Sequence, residues 1–290
     1  MMLTLAELAP ETVADMLALA ENSPGKPLAG KGVALLFEKP SARTRHSMEM
    51  AVTALGGHPV YVRADEVGIG GRESVEDVAR TFACYHSIVA ARVKDHAVLE
   101  AMQAAVPDTP VLNMLSDIAH PLQGLADLLT VKQLRGSIEG AKIAFIGDGN
   151  NVSRSLAVGA SKLGAQFVLA APSGYEFGDD IAAMPGVSET NDPRAAVDGA
   201  DFVYTDVWVS MGQDEEGEAR LAAFKPFQVD EALMACANPE AKFLHCLPAI
   251  RGQEVTAPVI DGPQSAVWRQ AENRLHSARG ALAYLMGVRP

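Results

Sequence analysis

The 290-residue chain is short of cysteine, of positive charge and of long apolar runs, and each shortage argues against a class of protein. Its three cysteines, Cys84, Cys236 and Cys246, are odd in number, far apart and without Cys-x-x-Cys spacing. That pattern suggests neither a disulfide framework nor a zinc site, and it fits a reducing cytoplasm. Lys and Arg total 24 against 36 Asp and Glu, a net charge of -12. A phosphate backbone is held by a positive surface field, so nucleic acid is not expected as a partner. No apolar run nears the ~20 residues of a membrane helix, so no membrane partner is expected either. The N-terminus, MMLTLAELAPETVADMLALAENSP, lacks a basic n-region. The spacing of Leu5, Leu8, Val13, Met16 and Leu17 among acidic residues predicts instead an amphipathic, structural helix there.

What is present is the composition of a globular protein, 48% hydrophobic and 21% charged, in a chain long enough for two domains. The run GVALLF is followed by a helical pattern at Met48, Ala51, Val52 and Leu55, then by HPVYV and a helix through Val75, Val78, Ala79 and Phe82. SIVAARV, HAVLEAMQAAV, PVLNML and a helix from Pro121 continue the order. Alternating strands and helices predict a parallel sheet covered on both faces, hence α/β. After the polar, glycine-punctuated TVKQLRGSIEGAK, a second alternation runs through KIAFIGD, a helix from about Val152, QFVLAAP, a helix near Ala195, DFVYTDV, DEALMACA and KFLHCL. Two doubly wound domains are expected, 1–134 and 135–271, with a C-terminal helix, 272–290, packing back on the first.

Ligands of open parallel sheets bind beyond the carboxyl ends of strands, so the informative residues follow each apolar run. The first strand end carries Ser41, Ala42, Arg43, Thr44 and Arg45 at a strand-to-helix turn. Free backbone N–H groups and the helix dipole favour an anion there, Ser41 suits the N-cap, and the Arg43 fork suits phosphate. A capped helix with solvated arginines is the plainer alternative. Later strand ends give Arg92, then His120 to Gln123 opening a helix, then GDGNN (Gly147 to Asn151), Asp206 to Gln213, and His245 to Ala249. GDGNN lacks the third glycine of a dinucleotide fingerprint. Taken together, these positions put phosphate donors, a histidine, an acid and a thiol at the edges of two α/β halves and predict an active-site cleft between them.

These motifs resemble those of the aspartate/ornithine carbamoyltransferase family over nearly the whole chain. SARTR stands for Ser-Thr-Arg-Thr-Arg, followed in order by HPLQGLADLLT, GDGNN, DVWVSMGQ, FLHCLPA and AENRLH. The first two specify a carbamoyl phosphate donor; Ser-Met-Gly and His-Cys-Leu-Pro narrow the acceptor to ornithine or a close analogue. The resemblance implies transfer of the carbamoyl group to the δ-amino group of L-ornithine, giving citrulline and phosphate in arginine metabolism. It implies that Ser41, Ala42, Arg43, Thr44, Arg92, His120, Gln123, Leu247 and Arg274 surround carbamoyl phosphate. Asn151, Asp206, Ser210 and Met211 are then expected to hold ornithine. Arg92, His120, Asp206 and Cys246 are expected to act on the reacting centre. A homo-oligomer, a trimer or a multiple of trimers, is implied, with no metal and no organic cofactor.

SMGQDEEGEAR is expected to close over the acceptor and exclude water. Two residues depart from the family pattern: Ala42 replaces a threonine, and Gly68 stands where many relatives carry a glutamine. The alternatives are a carbamoyltransferase for lysine, putrescine or N-acetylornithine, and a non-catalytic paralogue.

Overall fold

In the computed structural model, residues 1–22, 24–69, 71–209 and 217–290 are described. They form two compact units, one of residues 1–129 with 273–290 and one of residues 130–272.

The first unit begins with α1 (Pro10–Glu21), which starts later than the leucine spacing predicts because Pro10 fits the first helical turn and Ala9 before it is extended. Its sheet contains β1 (Gly32–Phe37), β2 (His58–Arg63), β3 (Ile88–Arg92) and β4 (Val111–Leu115), all parallel, in the order β2-β1-β3-β4. The connections are α2 (Ala42–Ala54), the short α3 (Ala64–Val67) with α4 (Val75–Tyr85), and α5 (His96–Ala105). Every residue of β3 is buried, as expected of an inner strand covered on both faces, whereas the edge strand β2 is only partly so. Leu36, Val78, Phe82, Val89, Leu99 and Val111 belong to the core on one side of this sheet.

Helix α6 (Pro121–Arg135) carries the chain into the second unit. There β5 (Lys142–Ile146), α7 (Asn151–Lys162), β6 (Gln166–Ala170), α8 (Asp179–Ala182), β7 (Val187–Thr190), α9 (Pro193–Val197) and β8 (Phe202–Thr205) follow one another. After α10 (Gly217–Phe224) come α11 (Glu231–Met234), β9 (Lys242–His245) and α12 (Ala257–Ile260). The five strands are parallel in the order β7-β6-β5-β8-β9. Ile146, Val203, Trp208, Phe224 and Phe243 lie in its core.

Helix α13 (Val267–Leu285) returns the chain to the first unit, where residues 273–290 belong. There Ser277 Oγ donates to the Leu122 carbonyl at 3.0 Å. A Cβ on Gly280 would lie 2.3 Å from the Met16 carbonyl oxygen, so only glycine lets α13 approach α1 this closely.

In each sheet the strand order reverses at one place, between β1 and β3 and between β5 and β8. Register puts Phe37 level with Arg92 and Ile146 level with Thr205 and, beyond it, His245. The loops leaving these strands are where an open parallel sheet offers a ligand crevice.

Candidate active site

In the first unit the β1–α2 turn, the end of β3, the start of α6 and α13 bring six expected residues together. Ser41 is extended and N-caps α2, accepting from the Thr44 N–H at 3.4 Å and donating its hydroxyl to Thr44 Oγ1 at 3.2 Å. Thr44 is buried, and its Oγ1 also accepts from Arg92 Nη1 and from Arg274 Nη2, each at 3.4 Å. Arg274 Nη1 donates to Gln123 Oε1 at 2.6 Å. Gln123 in turn donates Nε2 to Asp127 Oδ1 at 2.7 Å, one helical turn on. Arg92, His120, Gln123 and Arg274 are all buried.

Burial first, then the cations of Arg274 and Arg92, hold His120 well below the ordinary histidine pKa, so its imidazole is neutral at neutral pH. The two arginines thus set a positive field at the histidine, the field an anionic ligand reverses. The His120 carbonyl accepts the N–H groups of Gln123 and Gly124, which fixes His120 at the head of α6. Below that corner Asn113 is buried and donates to the carbonyls of Leu3 at 2.8 Å and Ala119 at 3.3 Å.

Ala42 and Arg43 are exposed in the first turn of α2. Arg45 is taken up structurally, with Nε on Glu49 at 2.8 Å and its guanidinium 3.9 Å from the Tyr61 ring centroid. Gly68 ends α3 in the left-handed region, φ 65°, and a Cβ there would meet that of Arg72 at 2.9 Å. The left-handed conformation and the close Arg72 side chain favour glycine at this position.

In the second unit the loops after β5, β8 and β9 converge. Cys246 Sγ donates to Asp206 Oδ1 at 3.0 Å, and the same oxygen accepts from the Val207 N–H at 2.8 Å. Asp206 Oδ2 accepts from Asn150 Nδ2 at 3.2 Å. Asp206 is buried, and Cys246 is partly so. The thiol and the carboxylate, at the ends of different strands, thus share one hydrogen bond. Donor atoms of Asp206, His245 and Cys246 lie within 4.8 Å of one another, but His245 Nδ1 already accepts the Leu247 N–H at 2.8 Å. Leu247 has φ 60°, the one positive value outside glycine among the described residues, at a cost of order 1–3 kcal/mol.

Asn151 opens α7 and its carbonyl accepts from Ser155 Oγ at 2.8 Å. Its neighbour Asn150 is the N-cap, accepting from the N–H groups of Val152 and Ser153, and its own Nδ2 donates to Asp206. Sequence reading missed Asn150, although an Asn before a helical pattern is an N-cap signal. It also missed Asp127 and the ion pair of Arg220 with Asp148, both members buried or nearly so, with Arg220 Nε on the Trp208 carbonyl at 2.7 Å. The Gly149 of GDGNN is required by packing, because a Cβ would lie 2.7 Å from the Glu176 carbonyl oxygen. Ser210 and Met211, and the rest of segment 210–216, lie outside the described residues.

Residues 1–133 match the family model described as aspartate/ornithine carbamoyltransferase, carbamoyl-P binding domain, and residues 139–285 match the corresponding Asp/Orn binding domain. An anabolic ornithine carbamoyltransferase of Pyrococcus furiosus is 47% identical over 275 residues, 91% of this chain and 87% of that protein. The ornithine carbamoyltransferase of Bacillus subtilis is 43% identical over 98% of this chain and 93% of its own length. Among solved structures, ornithine carbamoyltransferase from Thermus thermophilus superposes with a TM-score of 0.92 at 44% identity, covering 98% of both chains.

Proposed function

Because the chain belongs to the aspartate/ornithine carbamoyltransferase family, we propose that it transfers the carbamoyl group of carbamoyl phosphate to the δ-amino group of L-ornithine, giving L-citrulline and phosphate. The observation that carries the choice of acceptor is the buried carboxylate of Asp206 bonded to the thiol of Cys246. A cationic amino acid is attracted to such a site; an aspartate would set one carboxylate against another.

Carbamoyl phosphate brings its own leaving group, so the protein supplies position and charge and needs no covalent nucleophile. Ser41, Thr44, Arg43 and the N-terminal N–H groups of α2, including that of Ala42, hold the phosphate. Arg92, Arg274 and Gln123 complete the donor site. Neutral His120 donates to the carbonyl oxygen together with Arg92 and the Thr44 hydroxyl, and this stabilises the oxyanion formed as nitrogen adds to carbon. The tetrahedral adduct then expels phosphate, which carries away the proton lost by the amine.

Ornithine binds through its α-ammonium to Asp206 and through its α-carboxylate end to Asn151, Ser210 and Met211, with the δ-amine beside Cys246 and Leu247. An alkyl amine of pKa ~10.4 costs about 4–5 kcal/mol to hold neutral at pH 7. Both Asp206 oxygens already accept hydrogen bonds, from Cys246, Val207 and Asn150, so the carboxylate is a weaker partner for an ammonium than a bare one. The thiol thereby tempers the charge that would otherwise keep the amine protonated. The protein works in the cytoplasm as a homo-oligomer built of trimers, a state that sedimentation equilibrium measures.

A citrulline assay tests the reading. Wild-type protein forms citrulline from carbamoyl phosphate and ornithine in preference to lysine, putrescine and N-acetylornithine, and Arg43→Ala and Asp206→Ala lose most of that activity. Intact phosphate binding without citrulline from any amine would show a non-catalytic protein instead.

A further inference from the structure

We propose that Glu254 is a positioning residue for the Cys246–Leu247 corner and acts through His245, a role that rests on the reading of this corner as the acceptor site. Glu254 and His245 are both buried, with relative exposures of 0% and 1%. The Leu247 N–H donates to His245 Nδ1 at 2.8 Å, so Nδ1 carries the lone pair and the ring proton sits on Nε2. Nε2 lies 3.2 Å from Glu254 Oε1, the acceptor of that proton. The same oxygen accepts the Ile250 N–H at 2.5 Å. Glu254 therefore selects the imidazole tautomer, the tautomer leaves Nδ1 available to Leu247, and that bond holds a residue in the left-handed region, φ 60°.

The corner is fixed on three sides. Gln270 Oε1 accepts the His245 N–H at 2.8 Å, His245 takes the Leu247 N–H, and Glu254 takes that of Ile250. Cys246 stands between the first two anchors with its thiol on Asp206. Glu254 Oε2 is buried with no hydrogen-bond partner among the described residues. A buried carboxylate half-satisfied in this way is costly to stability, and an apolar side chain would fill the space without that cost. The acid is explained by what it orients.

The test uses full-length protein in a Cys84→Ser, Cys236→Ser background, so that Cys246 is the single thiol. Citrulline kinetics and the pH dependence of iodoacetamide alkylation are compared for the parent, Glu254→Gln and Glu254→Leu. Glutamine keeps an oxygen for the Ile250 N–H and the His245 Nε2–H, so its kcat and alkylation profile are expected within about threefold of the parent. Leucine removes the acceptor: kcat is expected to fall at least tenfold and alkylation at Cys246 to change at least fivefold, while the KM for carbamoyl phosphate stays within about twofold. Parental kcat and alkylation in Glu254→Leu would overturn the proposal, and so would equal impairment of Glu254→Gln. Should the leucine variant not fold, His245→Asn decides, since its amide oxygen can replace Nδ1 toward Leu247. It is expected to retain at least tenfold more activity than His245→Leu, and equality of the two would overturn the role. Failure of the parent to make citrulline would refute the assigned reaction, and the alkylation profiles would still decide the positioning role.

Discussion

The thiol of Cys246 donates to Oδ1 of Asp206 at 3.0 Å, joining the end of β9 to the end of β8 across residues 40 positions apart in the chain. One bond thus links the acid that attracts a cationic acceptor to the thiol beside which its reacting amine is placed. Replacing Cys246 with alanine removes that donor and leaves Asp206 a stronger partner for an ammonium. The apparent amine-side pKa of kcat/KM for ornithine should rise by about half a unit or more, with kcat at pH 7 falling about tenfold. A pH–rate profile matching the parent would remove the thiol from the mechanism.

Asp206→Asn keeps an oxygen for the thiol but loses the charge. A hydrogen bond to a charged group contributes about 1.5–3 kcal/mol, so the KM for ornithine should rise at least tenfold. Carbamoyl phosphate binding, measured by calorimetry, should be unchanged.

His120 supplies a pH signature. Its folded-state pKa lies well below the unfolded value of about 6.5, through burial and the Arg274 and Arg92 cations. Between those two values the unfolded chain binds a proton that the native state refuses, so the contribution is fully present above pH ~6.5 and is lost as pH falls toward the lower value. The wild type should lose up to about 1.4 kcal/mol per pH unit more than His120→Gln over that window. Urea denaturation at several pH values measures the difference. Because phosphate opposes the two arginines, saturating carbamoyl phosphate should raise the His120 pKa, seen as an NMR titration shift toward neutral pH.

Thr44 Oγ1 is the shared acceptor of two buried guanidinium groups. Thr44→Val should raise the KM for carbamoyl phosphate about tenfold and destabilise the protein by about 1–2 kcal/mol, the low end for charged hydrogen bonds because both contacts are long. Ala42→Thr works in the opposite direction by returning a hydroxyl to the exposed first turn of α2, and a KM a few-fold lower is expected. Initial-rate kinetics on the two variants check both signs.

Arg220 pairs with Asp148 in the GDGNN loop, and its guanidinium lies 4.8 Å from the Tyr175 ring centroid. Arg220→Met should cost about 3 kcal/mol, because it strips a largely buried carboxylate of its cation. Denaturant unfolding followed by tryptophan fluorescence tests this, since Trp208 lends its carbonyl to the same arginine.

Much of this architecture is legible along the chain because it is local. GVALLF, PVLNML and KIAFI read as strands from their short, mainly apolar runs, and each contains a largely buried strand. The misreadings are equally local. Leu5 and Leu8 share the periodicity of α1 but precede Pro10, whose position in the first turn marks where the helix starts. DEALMACA scans as a longer helix, yet α11 ends at Met234 with the chain turning at Ala235. The edge strand β7 was not anticipated, because VSET is only partly buried and lacks an apolar run.

The site divides in the same way. Strand ends, a phosphate-favouring turn, a helix-opening histidine and an acid before a thiol-bearing strand end are properties of neighbouring residues, and the amino-acid order alone determined them. Which side chains touch was decided only in three dimensions. Arg43 and Arg45, prominent in the motif, are exposed, while the buried guanidinium groups on Thr44 come from Arg92 and Arg274, the latter 230 positions away. Asn150, 56 positions before Asp206, donates to that carboxylate. The physical reason is that periodicity sets which face a residue occupies within its own element, whereas partners distant in the chain are chosen by strand order, register and the packing of whole helices, and no local pattern records those.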